Sequence, residues 1–158
     1  MSGPLDCIRV LDFSAMVAGP YCTRLMADSG AEVIKVERPG AGDDTRGWGP
    51  PFLKDGAGKD TKEAAYYASV NRNKKSITLD LSKPEGQAIA REIASKSAVL
   101  IENYKVGTLK RYGLGYEDLK ASNPGLVYCS VTGFGQDGPY APRPGYDFIF
   151  QGMGGLMS

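Results

Sequence analysis

The chain has no histidine among its 158 residues. Serine–histidine–aspartate and cysteine–histidine catalysis are thereby excluded, as are metal sites of the HExxH type. Acid–base or covalent chemistry must rest on carboxylates, Lys, Tyr, Ser or Cys. Cysteine is scarce: Cys7, Cys22 and Cys129 lie far apart, and no CxxC spacing occurs. That argues against a zinc site or a redox pair, and for small buried hydrophobes in a reducing compartment. No apolar run approaches the roughly 18–20 residues of a membrane span. The opening MSGPLDCIRVLDF lacks both the basic-then-apolar build of a secretory signal and the Arg-rich look of a mitochondrial presequence, so a cytoplasmic location is expected. Excess charge is missing too. With 19 basic against 18 acidic residues, non-specific binding to nucleic acid or membrane surfaces is not expected. SAMVAGP stands where GxGxxG would follow the first strand, and no GxxxxGK[ST] occurs. This excludes a P-loop and argues against NAD or FAD.

What is present is a globular composition, 42% apolar and 23% charged, in a length that suits one domain over residues 1–158. CIRVLDFS reads as a short buried strand, and AGPYCTRLMADSG as a helix with Pro20 in its first turn and Gly30 at its stop. AEVIKVE is a second strand. A long Gly/Pro-rich loop then runs from Arg38 to about Lys62, a length that is usually functional or mobile. KEAAYYASV reads as a short helix and KSITLDL as a third strand. KPEGQAIAREIASKS is a helix with an apolar stripe of Ile89, Ile93 and alanines. AVLIENY is a fourth strand, VGTLKRYG and YEDLKASNP are two short helices, GLVYCSVTGFG is a fifth strand, and YDFIFQGMGGLM starts another helix. Near-continuous apolar strands alternating with helices predict an α/β fold with a Rossmann-like parallel sheet covered on both faces. Ligands of such sheets bind beyond the carboxyl ends of the strands. That edge should gather Arg38, Asn103 and Lys105 with many glycines, a set suited to a phosphorylated ligand.

Single motifs leave alternatives open. NRNKKS, residues 71–76, is either a solvated turn or a patch facing phosphate. ENYKVGTLKRYG places Lys105 and Arg111 around a helix start, again as surface cations or as ligand contacts. Asp43 and Asp44 are adjacent carboxylates without a third ligand, so no metal is expected. Asp147 in PGYDFIFQG is either a helix-capping carboxylate or one displayed at the ligand edge.

Together, PLDCIRVLDFSAMVAGPYCTRLMADSGAEVIKVERPGAGDDTRGWGPPF, YYASVNRNKKSITLDL, IENYKVGTLKRYGLGYEDL and CSVTGFGQDGPYAPRPGYDFIFQGMGGLMS resemble, in order, the N-terminal part of family III CoA-transferases. The resemblance implies an incomplete large domain, lacking the family's small domain and C-terminal return, and an interlocked homodimer in the complete protein. It implies transfer of CoA from an acyl-CoA, such as succinyl-CoA, to a carboxylic acid through aspartyl anhydride and thioester intermediates, with no permanently bound cofactor and no need for histidine. By position it places Val17 and Ala18 at the thioester end and Arg38 on the nucleotide. Leu79, Asp80, Leu81 and Ser82 fall on the adenine side. Asn103, Tyr104 and Lys105 contact the same ligand, and Arg111 its phosphates. Tyr146 and Asp147 become auxiliary active-site residues. The family's nucleophilic aspartate belongs to a later Ala-Asp-Leu-x-x-Gly motif beyond Ser158, so the 158 residues alone are expected to be inactive. The racemase branch of the same fold carries a histidine where Tyr146 stands. Since tyrosine is a poor base near neutral pH, transferase is favoured over racemase. The remaining alternative is a non-catalytic CoA-binding module.

Overall fold

The computed structural model describes residues 3–158. Its centre is a parallel sheet of β1 (Arg9–Asp12), β2 (Glu32–Glu37), β5 (Lys75–Thr78), β6 (Val99–Glu102) and β7 (Val127–Ser130), ordered β5-β2-β1-β6-β7. The register pairs Leu11 with Ile34 on one side and Leu100 on the other. Strand order reverses between β1 and β6, so the loops leaving these two strands diverge and open a crevice at their carboxyl ends. The remaining strands, β3 (Phe52–Lys54) and β4 (Asp60–Ala64), form a separate antiparallel hairpin.

The two faces of the sheet carry two apolar clusters. Val10, Val33 and Ile101 pack with Ala27 and Ala31 beside α1 (Ala18–Asp28). Leu11, Val36 and Leu100 pack with Ala90 and Ala94 of α3 (Pro84–Ser95), and with Leu109 and Leu119 of the short helices α4 (Thr108–Arg111) and α5 (Tyr116–Leu119). Successive strand residues point to opposite faces, so a strand covered on both sides must be apolar throughout. The buried side of α1 is made of Gly19, Pro20, Thr23 and Ala27, small enough for the helix to lie close to the sheet. Gly30, at φ 103°, takes the left-handed turn that stops it. The other helices are α2 (Ala65–Asn71) and α6 (Asp147–Met153).

Four local expectations are corrected. The stretch from Arg38 to Lys62 is not one loop: it contains a 3-10 turn at Asp44–Gly47 and the β3–β4 hairpin, and α2 starts at Ala65 because residues before it pair in β4. The third strand ends at Thr78, and Leu79 and Leu81 turn into the core. Ile89 lies on the open side of α3, whose buried face is Gly86, Ala90 and Ala94. The three cysteines are free and exposed, not buried. Cys7 occupies a turn, Cys22 the outer side of α1 and Cys129 an open position on β7, which lies at the edge of the sheet.

Candidate functional site: a crevice at the β1–β6 divide

A cavity of about 210 Å³ opens at the carboxyl ends of β1, β2 and β6. One wall is the turn Phe13–Met16 after β1, another is Glu37 and Arg38 with Asp43 and Asp44 after β2, and the third is Asn103 and Tyr104 after β6. Arg38 stands at the mouth, with its guanidinium 2.5 Å from Asp44 and both side chains more than half exposed. Such a pair contributes at most about 1 kcal/mol, so a phosphate can take Asp44's place. Burial pushes the Tyr104 hydroxyl's pKa upward, against the lowering pull of Arg38's charge.

Beneath the crevice lies a buried polar layer. Asp12, fully buried at the end of β1, accepts hydrogen bonds from the Ser14 amide (2.9 Å), the Ser14 hydroxyl, Thr23 (2.6 Å) and the Lys74 ammonium (3.1 Å). Lys74 also donates to the carbonyl of Pro20 and the amide oxygen of Asn71. Burial brings its pKa down to about 8, with Asp12's charge pulling the other way. Lys35, 1% exposed, is 2.8 Å from Asp43, which is equally buried. Burial favours the neutral acid of Asp43, but the Lys35 ammonium outweighs it and holds the carboxyl below its usual range. Glu37 is held by the two-pronged grip of Arg46 (2.8 Å on each oxygen), by Tyr67 (2.9 Å) and by Ser76 (2.7 Å). Burial raises its pKa, yet these donors bring it from 4.5 to about 2. The adjacent aspartates therefore diverge: Asp43 turns inward to Lys35 and Asp44 outward to Arg38.

The turn Ser14–Met16 is held from two sides. Lys35 donates to the Ser14 carbonyl (2.8 Å). The Asn103 side chain accepts from the Ala15 amide (2.9 Å) and donates to the Ala15 carbonyl (2.8 Å). Asp43 accepts from the Met16 amide (3.3 Å). Met16 has φ 66°, a left-handed conformation that costs a non-glycine residue roughly 1–2 kcal/mol.

Of the residues singled out in the sequence, Arg38, Asn103 and Tyr104 meet in this crevice. Val17 and Ala18 follow its wall at the exposed start of α1, whose first amides lack intrahelical partners. Lys105 lines a second hollow of about 560 Å³, shared with Glu102, Tyr116 and Tyr128. Arg111 is exposed at the end of α4, in neither hollow. Leu79 and Leu81 are 7% exposed members of the core, so at that strand end only Asp80 and Ser82 are open. Asp80 accepts from the Ser82 amide and hydroxyl. Tyr146 caps α6 and Asp147 begins it, exposed and bonded to Gln151 at 2.6 Å. Neither lines the crevice. The cluster at 71–76 is spent within the protein: Lys74 goes to Asp12, Arg72 and Asn73 to Asp28, and Lys75 to Glu32. Lys35, Glu37 and Arg46 lie outside the residues expected from the sequence, and Asp43 enters there only as a weighed metal ligand. Their signal was a lysine and a glutamate inside VIKVE, because charges in a strand buried on both faces need partners.

Residues 5–158 match the family model for CoA-transferase family III. This chain belongs to that family. It is 53% identical over 155 residues to the succinate–glutarate CoA-transferase of Agrobacterium fabrum, a match covering 98% of this chain and 38% of the relative. It is 47% identical to the succinyl-CoA–D-citramalate CoA-transferase of Chloroflexus aurantiacus, covering 98% and 37%. The crystal structure of a CAIB/BAIF family protein from Brucella suis superposes with a TM-score of 0.92 at 51% identity, covering 99% of this chain and 40% of that one. The family III chain thus spans about two fifths of the length of these relatives.

Proposed function

We propose that this family III chain forms the coenzyme-binding portion of an acyl-CoA:carboxylate CoA-transferase, with succinyl-CoA or a similar dicarboxylyl-CoA as donor. The observation that carries this reading is the crevice at the β1–β6 divide, with a releasable Arg38 at its mouth, in a chain about half identical to proteins named as succinate or succinyl-CoA CoA-transferases. The nucleotide end of CoA meets Arg38, and the acyl end runs toward the Ser14–Ala18 turn.

In the reaction proposed, a free carboxylate attacks the thioester carbonyl, giving a mixed anhydride and CoA thiolate. The thiolate then attacks the enzyme's acyl carbon, releasing the donor acid and leaving an enzyme thioester. The acceptor acid attacks that thioester in turn, and the freed thiolate moves onto the acceptor's acyl carbon, regenerating the carboxylate. The crevice carboxylates are poorly placed to begin this: Asp43 is paired with Lys35, Glu37 with Arg46 and Asp44 with Arg38. We assign the nucleophile outside the crevice, to the later Ala-Asp-Leu-x-x-Gly motif that the family resemblance implies. Tyr146 and Asp147 are assigned as auxiliary groups. The reading includes a cytoplasmic homodimer, with three free thiols fitting a reducing compartment.

Protein purified from its natural source is the material for the test. With succinyl-CoA and glutarate or another dicarboxylate, mass spectrometry should show a new acyl-CoA and free succinate. CoA binding without any acyl exchange would instead support a non-catalytic module. Exchange of the α-proton of a 2-methylacyl-CoA with solvent would support a racemase.

A further inference from the structure

Lys35 and Asp43 have no assigned part in the reaction, and Asn103 only the ligand contact that the resemblance implies, yet all three converge on three successive residues of one turn. Lys35 comes from inside β2, Asp43 from the segment after β2, and Asn103 from the end of β6. Their contacts fall on the Ser14 carbonyl, on both polar atoms of the Ala15 backbone, and on the Met16 amide. The turn they grip contains a left-handed Met16 and leads directly into α1. A strained turn at the rim of an open cavity keeps its shape only when its surroundings over-determine it. Here the two restraining strands lie on either side of β1, so the turn is pinned across the crevice itself.

We propose that Lys35, Asp43 and Asn103 are positioning residues that lock the Ser14–Met16 turn and thereby place the wall against which the acyl end of the ligand reacts. This rests on the transferase reading. Asn103 would then act chiefly through Ala15, with one amide oxygen and one amide nitrogen already committed. Binding strength would come mainly from the nucleotide end at Arg38, so loosening the turn should disturb chemistry more than affinity.

The test uses the protein purified from its natural gene, with variants in that background. Asn103→Leu releases Ala15 while keeping a side chain branched at Cγ. Asn103→Asp keeps the acceptor for the Ala15 amide but sets a carboxylate oxygen against the Ala15 carbonyl, so it too should lower kcat and speed exchange. Lys35→Met combined with Asp43→Asn removes the buried charges as a pair and avoids stranding one of them. Asn103→Leu should lower kcat at least about tenfold with less than about a threefold change in KM for the acyl-CoA. Hydrogen exchange in the peptide covering Phe13–Tyr21 should speed up by a similar factor without ligand. Combining Asn103→Leu with the paired variant should reduce kcat by less than the product of the separate effects, since all act on one turn. A raised KM at unchanged kcat, or unaltered exchange, overturns the proposal. Wild-type protein without turnover, but with the expected exchange change in Asn103→Leu, would count against the transferase reading while upholding the locked turn.

Discussion

Glu37 and Arg38 are neighbours at the end of β2 with opposite fates. Among the described residues, the Arg38 side chain pairs with Asp44 alone, in an exposed contact that water screens. Replacing it by Ala should leave the fold intact and raise KM for the CoA donor about tenfold, measured by steady-state kinetics of the purified protein. An unchanged KM would remove Arg38 from the nucleotide site. Glu37 is 5% exposed and bound by Arg46, Tyr67 and Ser76. Its carboxyl titrates at about 2 in the folded protein against an ordinary 4.5. A depressed acid stabilises the fold above the unfolded value, and that contribution is lost as pH falls from about 4.5 to about 2. The size is on the order of 3 kcal/mol. Urea unfolding between pH 6 and pH 3 should show wild type losing stability more steeply than Glu37→Gln, whose amide cannot titrate. Equal slopes would place the acid sensitivity elsewhere.

Elements were more legible in the sequence than their contacts. The apolar runs and helix-stop signals located the five sheet strands and α1 and α3 within a few residues, because burial on both faces demands that pattern. The β3–β4 hairpin was not seen: Asp60–Ala64 is polar and its burial only alternates partially. Its Asp55–Gly58 turn, where Asp55 accepts from the amides of Ala57 and Lys59, was the available cue. Arg38 and Asn103 were legible because strand ends converge by topology, and Tyr104 through the family resemblance, whereas Lys105, expected beside them, lines the second hollow. The Lys74–Asp12 and Lys35–Asp43 pairs were not legible, since partner choice depends on a strand order that composition does not encode. The seat of α1 tests the packing directly. A Cβ on Gly19 would lie 2.3 Å from the Ser14 side chain, too close to be accommodated without moving the helix. Gly19→Ala should therefore destabilise the protein by about 1–3 kcal/mol in denaturant unfolding. It should also speed exchange in the Ser14–Ala18 turn. A neutral substitution would show that α1 is free to shift on the sheet.

At the scale of the whole molecule, binding and chemistry separate. The crevice is assembled from three strand ends that the parallel sheet alone brings together, so the 158 residues should carry affinity for CoA by themselves. The same fold has invested its crevice carboxylates in ion pairs that hold the crevice in shape. Freeing Asp43 or Glu37 to attack a thioester would strand Lys35 or weaken the grip on Arg46, and an uncompensated buried charge costs several kcal/mol. In the proposed reading, the ion pairs that shape the crevice for a nucleotide also make its acids poor nucleophiles. The 158 residues, expressed as such, should be stabilised by CoA. At a CoA concentration one hundred times the dissociation constant the gain should be about 3 kcal/mol, read as a rise in unfolding midpoint. ADP should reproduce part of that gain if Arg38 meets the nucleotide end. Incubated with succinyl-CoA and glutarate, the same preparation should form no glutaryl-CoA. Turnover by these residues alone would mean that a carboxylate now read as structural, or Asp147 at the start of α6, performs the attack. Absence of any CoA-dependent stabilisation would instead show that the strand ends do not suffice to build the nucleotide site.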